Sequence, residues 1–139
     1  MVSNMKAAIM YEIPDFTGYY VAETGEIFTT LRKGCIDRYN YSKRIDPIPL
    51  KPRYTKGGYP RVYIRRNSTN LREDVYIHRA VAEMFIPNPN NLPEVNHINS
   101  NTYDSRASNL EWVTHKENMD YAITDGNMTR DKYGRYCHK

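Results

Sequence analysis

Cysteine is scarce: Cys35 and Cys137 are the two in 139 residues, far apart, and neither lies in close spacing with another Cys or His. That excludes a zinc ribbon or a disulfide-dense scaffold and fits a reduced protein without zinc, one disulfide being the alternative. Long apolar runs are also missing. Nothing approaches the roughly 18 residues of a membrane-spanning helix, and Met1 to Met10 carries one lysine and only a few apolar residues where a signal peptide would have a longer core. Neither membrane insertion nor export is expected. Phenylalanine and tryptophan are few (three and one), so thirteen tyrosines carry the aromatic content, and most of them serve as filling for small β cores. The length suits one domain or two small lobes sharing a core.

What is present is unevenly spread charge. The net charge is +4, but Lys43 to Arg79 holds ten Lys or Arg against Asp46, Glu73 and Asp74, whereas Ala80 to Asp125 holds Arg106 and Lys116 against seven acids. A basic middle suits contact with nucleic-acid phosphates, although a solvated sheet face has the same composition. Ile13 to Thr30 reads as two short strands about a turn at Glu23-Thr24-Gly25, and Lys33 to Pro49 as a linker, with Pro47 and Pro49 resisting helix. Within that linker Tyr39 and Tyr41 mix with Arg38, Lys43 and Arg44. Leu50 to Arg66 carries a hairpin turning at Gly57-Gly58. Its second arm alternates Arg61, Tyr63 and Arg65 with Val62 and Ile64, placing the cations on one face and the aliphatics against a core. Lys51, Arg53, Lys56, Arg61 and Arg65 are the expected phosphate contacts, with Tyr54 and Tyr63 packing on sugar or base. Tyr76 to Phe85 follows as a helix with Asp74 as N-cap and Ile77, Ala80, Val81, Met84 and Phe85 as its buried face, ended by Pro87 and Pro89.

The most informative stretch is Glu94 to Gly126. Glu94 to Ile98 reads as a strand, a polar Asn- and Ser-rich loop follows, and Leu110 to Val113 reads as a second strand. Thr114 and Glu117 form a capping box for a helix with Met119, Ala122 and Ile123 on one apolar face and Gly126 as its left-handed stop. This strand, loop, strand, helix order lets Asn96, His97 and Asn118 converge. The amide oxygens of Asn96 and Asn118 are hard neutral ligands suited to Mg²⁺ or Mn²⁺, His97 is placed to take a proton from water, and Asn109 is placed to brace the loop that orients it.

Asn96, His97, Asn109 and Asn118, with Leu110, Trp112 and the Thr114 to Asn118 run, resemble the HNH homing endonucleases of phage, the ββα-metal nucleases. The likeness extends through IHRAVAEMFIPNPNNLPEVNH and to YYVAETGEIFTT, together covering Tyr11 to Gly126. The resemblance implies a DNA endonuclease with His97 activating water, Asn96 and Asn118 holding one divalent cation and Asn109 bracing the loop, acting on double-stranded DNA in the cytoplasm of a host cell as monomer or homodimer. The sequence departs from the family at three places. Asn96 replaces a frequent Asp, so cation affinity without DNA is expected to be low. Asn99 and Ser100 stand where many relatives have Asp-Gly, and Ser105 stands where many have Asn.

The fold expected is α+β. Residues 1–10 form a tail, 11–70 a β-rich basic DNA-binding module, 71–126 the nuclease unit and 127–139 a poorly ordered polar tail. His78 reads as a structural histidine with its hydrogen bonds satisfied and His115 as a solvated first-turn residue. Two rival functions stand beside cleavage: a DNA-binding protein that keeps the scaffold without turnover, and a factor whose basic face meets an acidic protein.

Overall fold

The computed structural model describes residues 9–31, 43–126, 128–133 and 135–138. Cys35, Arg38, Tyr39 and Tyr41 lie outside them, as does residue 1–8 of the N-terminal tail. The architecture is α+β. Strands β1 (Met10–Glu12), β2 (Tyr19–Ala22), β3 (Ile27–Leu31) and β4 (Lys43–Pro49) make an antiparallel sheet in sequential order. The turn from β2 to β3 is the one expected, with Gly25 at φ +90. The expected linker is a strand over Lys43–Pro49 instead. Its prolines are tolerated because β4 is the outermost strand, where a missing N–H interrupts no ladder.

Strands β5 (Arg53–Tyr54), β6 (Pro60–Arg65) and β7 (Arg72–Tyr76) form a second antiparallel sheet. Alternation in β6 is as read from the sequence: Val62 and Ile64 are buried, while Arg61, Tyr63 and Arg65 face outward. Helix α1 (Ile77–Phe85) leaves β7 without a loop, so its N-cap is Tyr76 and Asp74 is not a cap; Asp74 is instead a β7 residue opposite Tyr63. The helix buries Ile77, His78, Ala80, Val81 and Ala82, while Met84 and Phe85 are only partly covered. One core joins both sheets and α1 to the next hairpin, running from Ile13, Phe16, Val21 and Ile27 through Val62 and Ile64 to Val95 and Leu110.

That hairpin is β8 (Glu94–His97) and β9 (Leu110–Val113), paired from Glu94 opposite Val113 to His97 opposite Leu110. The Trp112 indole N–H donates to the Ile86 carbonyl at 3.0 Å and ties β9 to the end of α1. Helix α2 (His115–Thr124) starts with the complete Thr114–Glu117 capping box, and Gly126 follows it at φ +78. Met119, Ala122 and Ile123 are half-buried, so the apolar face of α2 is shallower than its sequence suggests. Strands β10 (Met128–Arg130) and β11 (Tyr136–His138) pair as an antiparallel hairpin. Asp131 makes its turn, accepting from the Tyr133 and Arg135 backbone N–H groups at 2.8 and 2.9 Å.

Candidate functional site

Strand alternation puts Val95 and His97 on the covered side of β8 and Glu94 and Asn96 on the other. Because β8 stops at His97, a cavity of about 100 Å³ wraps its end, lined among others by Asn96, His97, Asn118, Tyr59, Ser100 and Asp125. The structure thus gathers the three residues singled out for chemistry at one opening. Asn109 sits beneath it in a short 3-10 turn (Ala107–Asn109). Its Oδ1 accepts from the Asn99 N–H at 3.0 Å, its Nδ2 donates to Asn99 Oδ1 and the Asp104 carbonyl at 2.9 Å each, and its carbonyl accepts from Ile98 N–H at 2.7 Å. Those bonds close the loop behind His97.

The altered loop residues have definite places. Asn99 completes the pairing with Asn109, and Ser100 takes φ +62 with its hydroxyl on the Asp125 carboxylate, linking the loop to the end of α2. Ser105 is buried. The loop is also gripped from outside. The Thr102 hydroxyl donates to the Gly57 carbonyl at 3.1 Å, Tyr103 packs on Tyr54 at 5.1 Å between centroids, and Ala107 N–H donates to the Glu23 carbonyl at 2.9 Å. A Cβ at Gly58 would lie 2.7 Å from Thr102 Oγ1, and one at Gly25 would lie 2.8 Å from the Ser105 backbone, so glycine is what allows each close approach.

His97 is 5% exposed and its Nε2 has no hydrogen-bond partner among the described residues. Burial pushes its pKa below the ordinary histidine value, while Asp104 pulls the other way, so the neutral ring is favoured. His78 on α1 lies 5.0 Å from it between ring centroids, and Tyr59 packs on both rings. Burial, then the charges of His97 and Arg79, push His78 down to about 4. Contrary to expectation, its Nδ1 is buried without a partner.

Both candidate ligand amides are held by carboxylates. The Asn96 Nδ2 donates to Glu111 Oε1 at 3.0 Å and the Asn118 Nδ2 to Glu94 Oε2 at 2.7 Å. Each Oδ1 is left without a protein partner among the described residues. That is the donor set a hard divalent cation takes, so these residues fit one, and no cluster of three or more His, Cys, Asp or Glu at ligand spacing occurs among the described residues. Burial raises the Glu94 carboxyl, but hydrogen bonds from His115 and Asn118 outweigh it and hold it below its usual value. His115 is exposed, as expected, with its Nδ1 2.7 Å from Glu94 Oε1.

The cations proposed for phosphate contact lie on the outer face of β5–β7 and its turns. Lys51, Arg53 and Lys56 are exposed, as are Tyr54 and Tyr63. Arg53 and Arg61 both pair with Asp74, at 2.7 and 3.2 Å, and Arg65 donates to the Asn70 carbonyl at 2.7 Å. The sequence did not point to Arg72, opposite Arg65 on this face, to Tyr59 on the cavity wall, or to Glu94 and Glu111 behind the two asparagines. Tyr59 was signalled by following Gly57-Gly58. Glu111 required the register of a hairpin with a long loop.

A ββα unit with histidine at the strand end and asparagine on the helix defines a class, and residues 75–120 match the family model described as HNH endonuclease. That third of the chain is therefore similar to an HNH endonuclease domain. Two similar proteins come from Acanthamoeba polyphaga mimivirus, both named as uncharacterized HNH endonucleases: L245, 45% identical over 83 residues (60% of this chain, 24% of the relative), and L247, 32% identical over 123 residues (84% and 31%). This chain spans a quarter to a third of their length. Among solved structures, that of DNA binding and cleavage by the HNH homing endonuclease I-HmuI matches with a TM-score of 0.65 at 24% identity, over 90% of this chain and 63% of the other. The fold is therefore shared well beyond residues 75–120.

Proposed function

We propose that the protein is a divalent-cation-dependent DNA endonuclease that hydrolyses phosphodiester bonds. The observation that carries this is the cavity shared by Asn96, His97 and Asn118, which brings two uncommitted amide oxygens and an imidazole kept neutral by burial to one opening. A single Mg²⁺ or Mn²⁺ held by the Oδ1 atoms of Asn96 and Asn118 would neutralise charge developing on the phosphate and the leaving oxygen. His97, kept neutral by burial, would accept the proton of the attacking water at Nδ1, since its Nε2 is buried away from solvent. Asn109 holds the loop behind the imidazole and so its orientation. The outer face of β5–β7 supplies Lys51, Arg53, Lys56, Arg61 and Arg65 to duplex phosphates, with Tyr54 and Tyr63 beside them. In this reading residues 11–70 bind and residues 71–126 cut, inside a host cell, as monomer or homodimer.

Supercoiled plasmid incubated with Mg²⁺ or Mn²⁺ tests the reading: the parent gives open-circle or linear product, and His97→Ala gives none while binding duplex DNA within about twofold of the parent. Cleavage by a clean His97→Ala preparation would defeat the mechanism. A second reading, a DNA-binding protein without turnover, is favoured by the neutral side chain at Asn96. It wins if the parent retains plasmid in a salt-sensitive way yet leaves it supercoiled.

A further inference from the structure

The two candidate ligand amides share a feature that the reaction itself does not use. Each gives its NH₂ group to a carboxylate, and a carboxylate accepts hydrogen bonds but donates none. Turning either amide over would set oxygen against oxygen, so each Oδ1 is confined to the opposite end, toward the cavity that both side chains line.

The backbone makes this arrangement possible. Asn96 and Glu111 are direct cross-strand partners in the β8–β9 register, and Glu94 lies two residues before Asn96 on the same face, below Asn118 of α2. Glu94 is itself held at both oxygens, Oε1 by His115 and Oε2 by Asn118. Both ligand positions therefore have a carboxylate partner, one across the hairpin and one from the strand to the helix.

We propose that Glu94 and Glu111 are positioning residues that fix the Asn118 and Asn96 oxygens for a divalent cation and supply, one group away, the negative charge their neutral amides lack. The inference rests on the cation-dependent reading above. It gives the chain a way to work with asparagine at position 96: the charge stands behind the ligand instead of on it. Partners of this kind typically change cation affinity by about 10- to 100-fold.

Mn²⁺ binding to the full chain, followed by loss of the free-ion electron paramagnetic resonance signal, reads this without any cleavage assay. Glu111→Gln and Glu94→Gln should each weaken binding about tenfold and the double variant about a hundredfold. Asp125→Asn, which removes a charge from the cavity wall without touching either amide, should change it less than threefold. The side-chain NH₂ signals of Asn96 and Asn118 in ¹⁵N spectra should shift in Glu111→Gln and Glu94→Gln respectively, with or without Mn²⁺. Affinity within twofold of the parent in both single variants would overturn the proposal while leaving the site standing, as would an equal loss in Asp125→Asn or unmoved NH₂ signals. Parent-like Mn²⁺ affinity in an Asn96→Ala, Asn118→Ala double variant would overturn the site itself, and the proposal with it.

Discussion

The outer face of β5–β7 and the β8–β9 hairpin use charge in opposite ways. On the first, acid partly cancels cations: Asp74 takes both Arg53 and Arg61, while Lys51, Lys56 and Arg72 are turned to solvent. On the second, Glu94 and Glu111 lie behind asparagines and present oxygen without direct charge. Coulomb attraction between exposed groups is screened within about 10 Å at moderate salt, whereas a preorganised ligand acts by contact. One region is therefore suited to reversible, sequence-tolerant capture and the other to a geometry that works only when assembled.

The widest separation between the two should appear in Asn118→Ala. Cleavage is expected to fall about a thousandfold, the upper end of the roughly 3–4 kcal/mol that one preorganised group commonly contributes, while duplex affinity stays near the parent's in a filter-binding assay. Loss of DNA binding alongside cleavage would erase the distinction. Beneath the outer face of β5–β7, Ile64 is 1% exposed, and Ile64→Ala should cost about 3 kcal/mol in urea unfolding and impair both regions together.

A comparable effect should come from pH. The folded state holds His78 at about 4 against about 6.5 unfolded, so the unfolded chain binds the extra proton between those values. Stability is then full above pH 6.5 and declines as pH falls toward 4, by up to about 3 kcal/mol, a loss that His78→Phe should remove from the denaturation curves. Smaller still, Lys51→Ala and Lys56→Ala should each lower the slope of log affinity against log salt by about 1, and Arg53→Ala by less because Asp74 already occupies it. Thr114→Ala, which breaks a cap, should cost about 1 kcal/mol of stability.

Much of this was readable from residues alone, for local reasons. The Thr114–Glu117 box and Gly126 bound α2, and alternation fixed which side of β6 is wet, because both signals act within a few residues. What was not readable depends on neighbours distant in sequence. Pro47 and Pro49 argue against a strand until β4 is seen to be outermost, and Asp74 looks like a cap until β7 is seen to run straight into α1. At the site, the asparagines and His97 were visible as residue types at spacing. Glu111 was not, since it meets Asn96 only once a loop of twelve residues, Ile98 to Asn109, is closed in register.

The grip on that loop gives the molecule a mechanical property. Gly57 and Glu23, both before residue 71, hold Thr102 and Ala107, and the 70/71 boundary falls in the turn joining β6 to β7. A fragment starting at Leu71 would keep every residue proposed for chemistry yet lose a sheet partner and both outer clamps. Because Tyr54 packs on Tyr103 and Gly58 lies against Thr102, the β5–β6 turn and the loop behind the histidine are braced as one piece, and a shift of that turn would strain the loop.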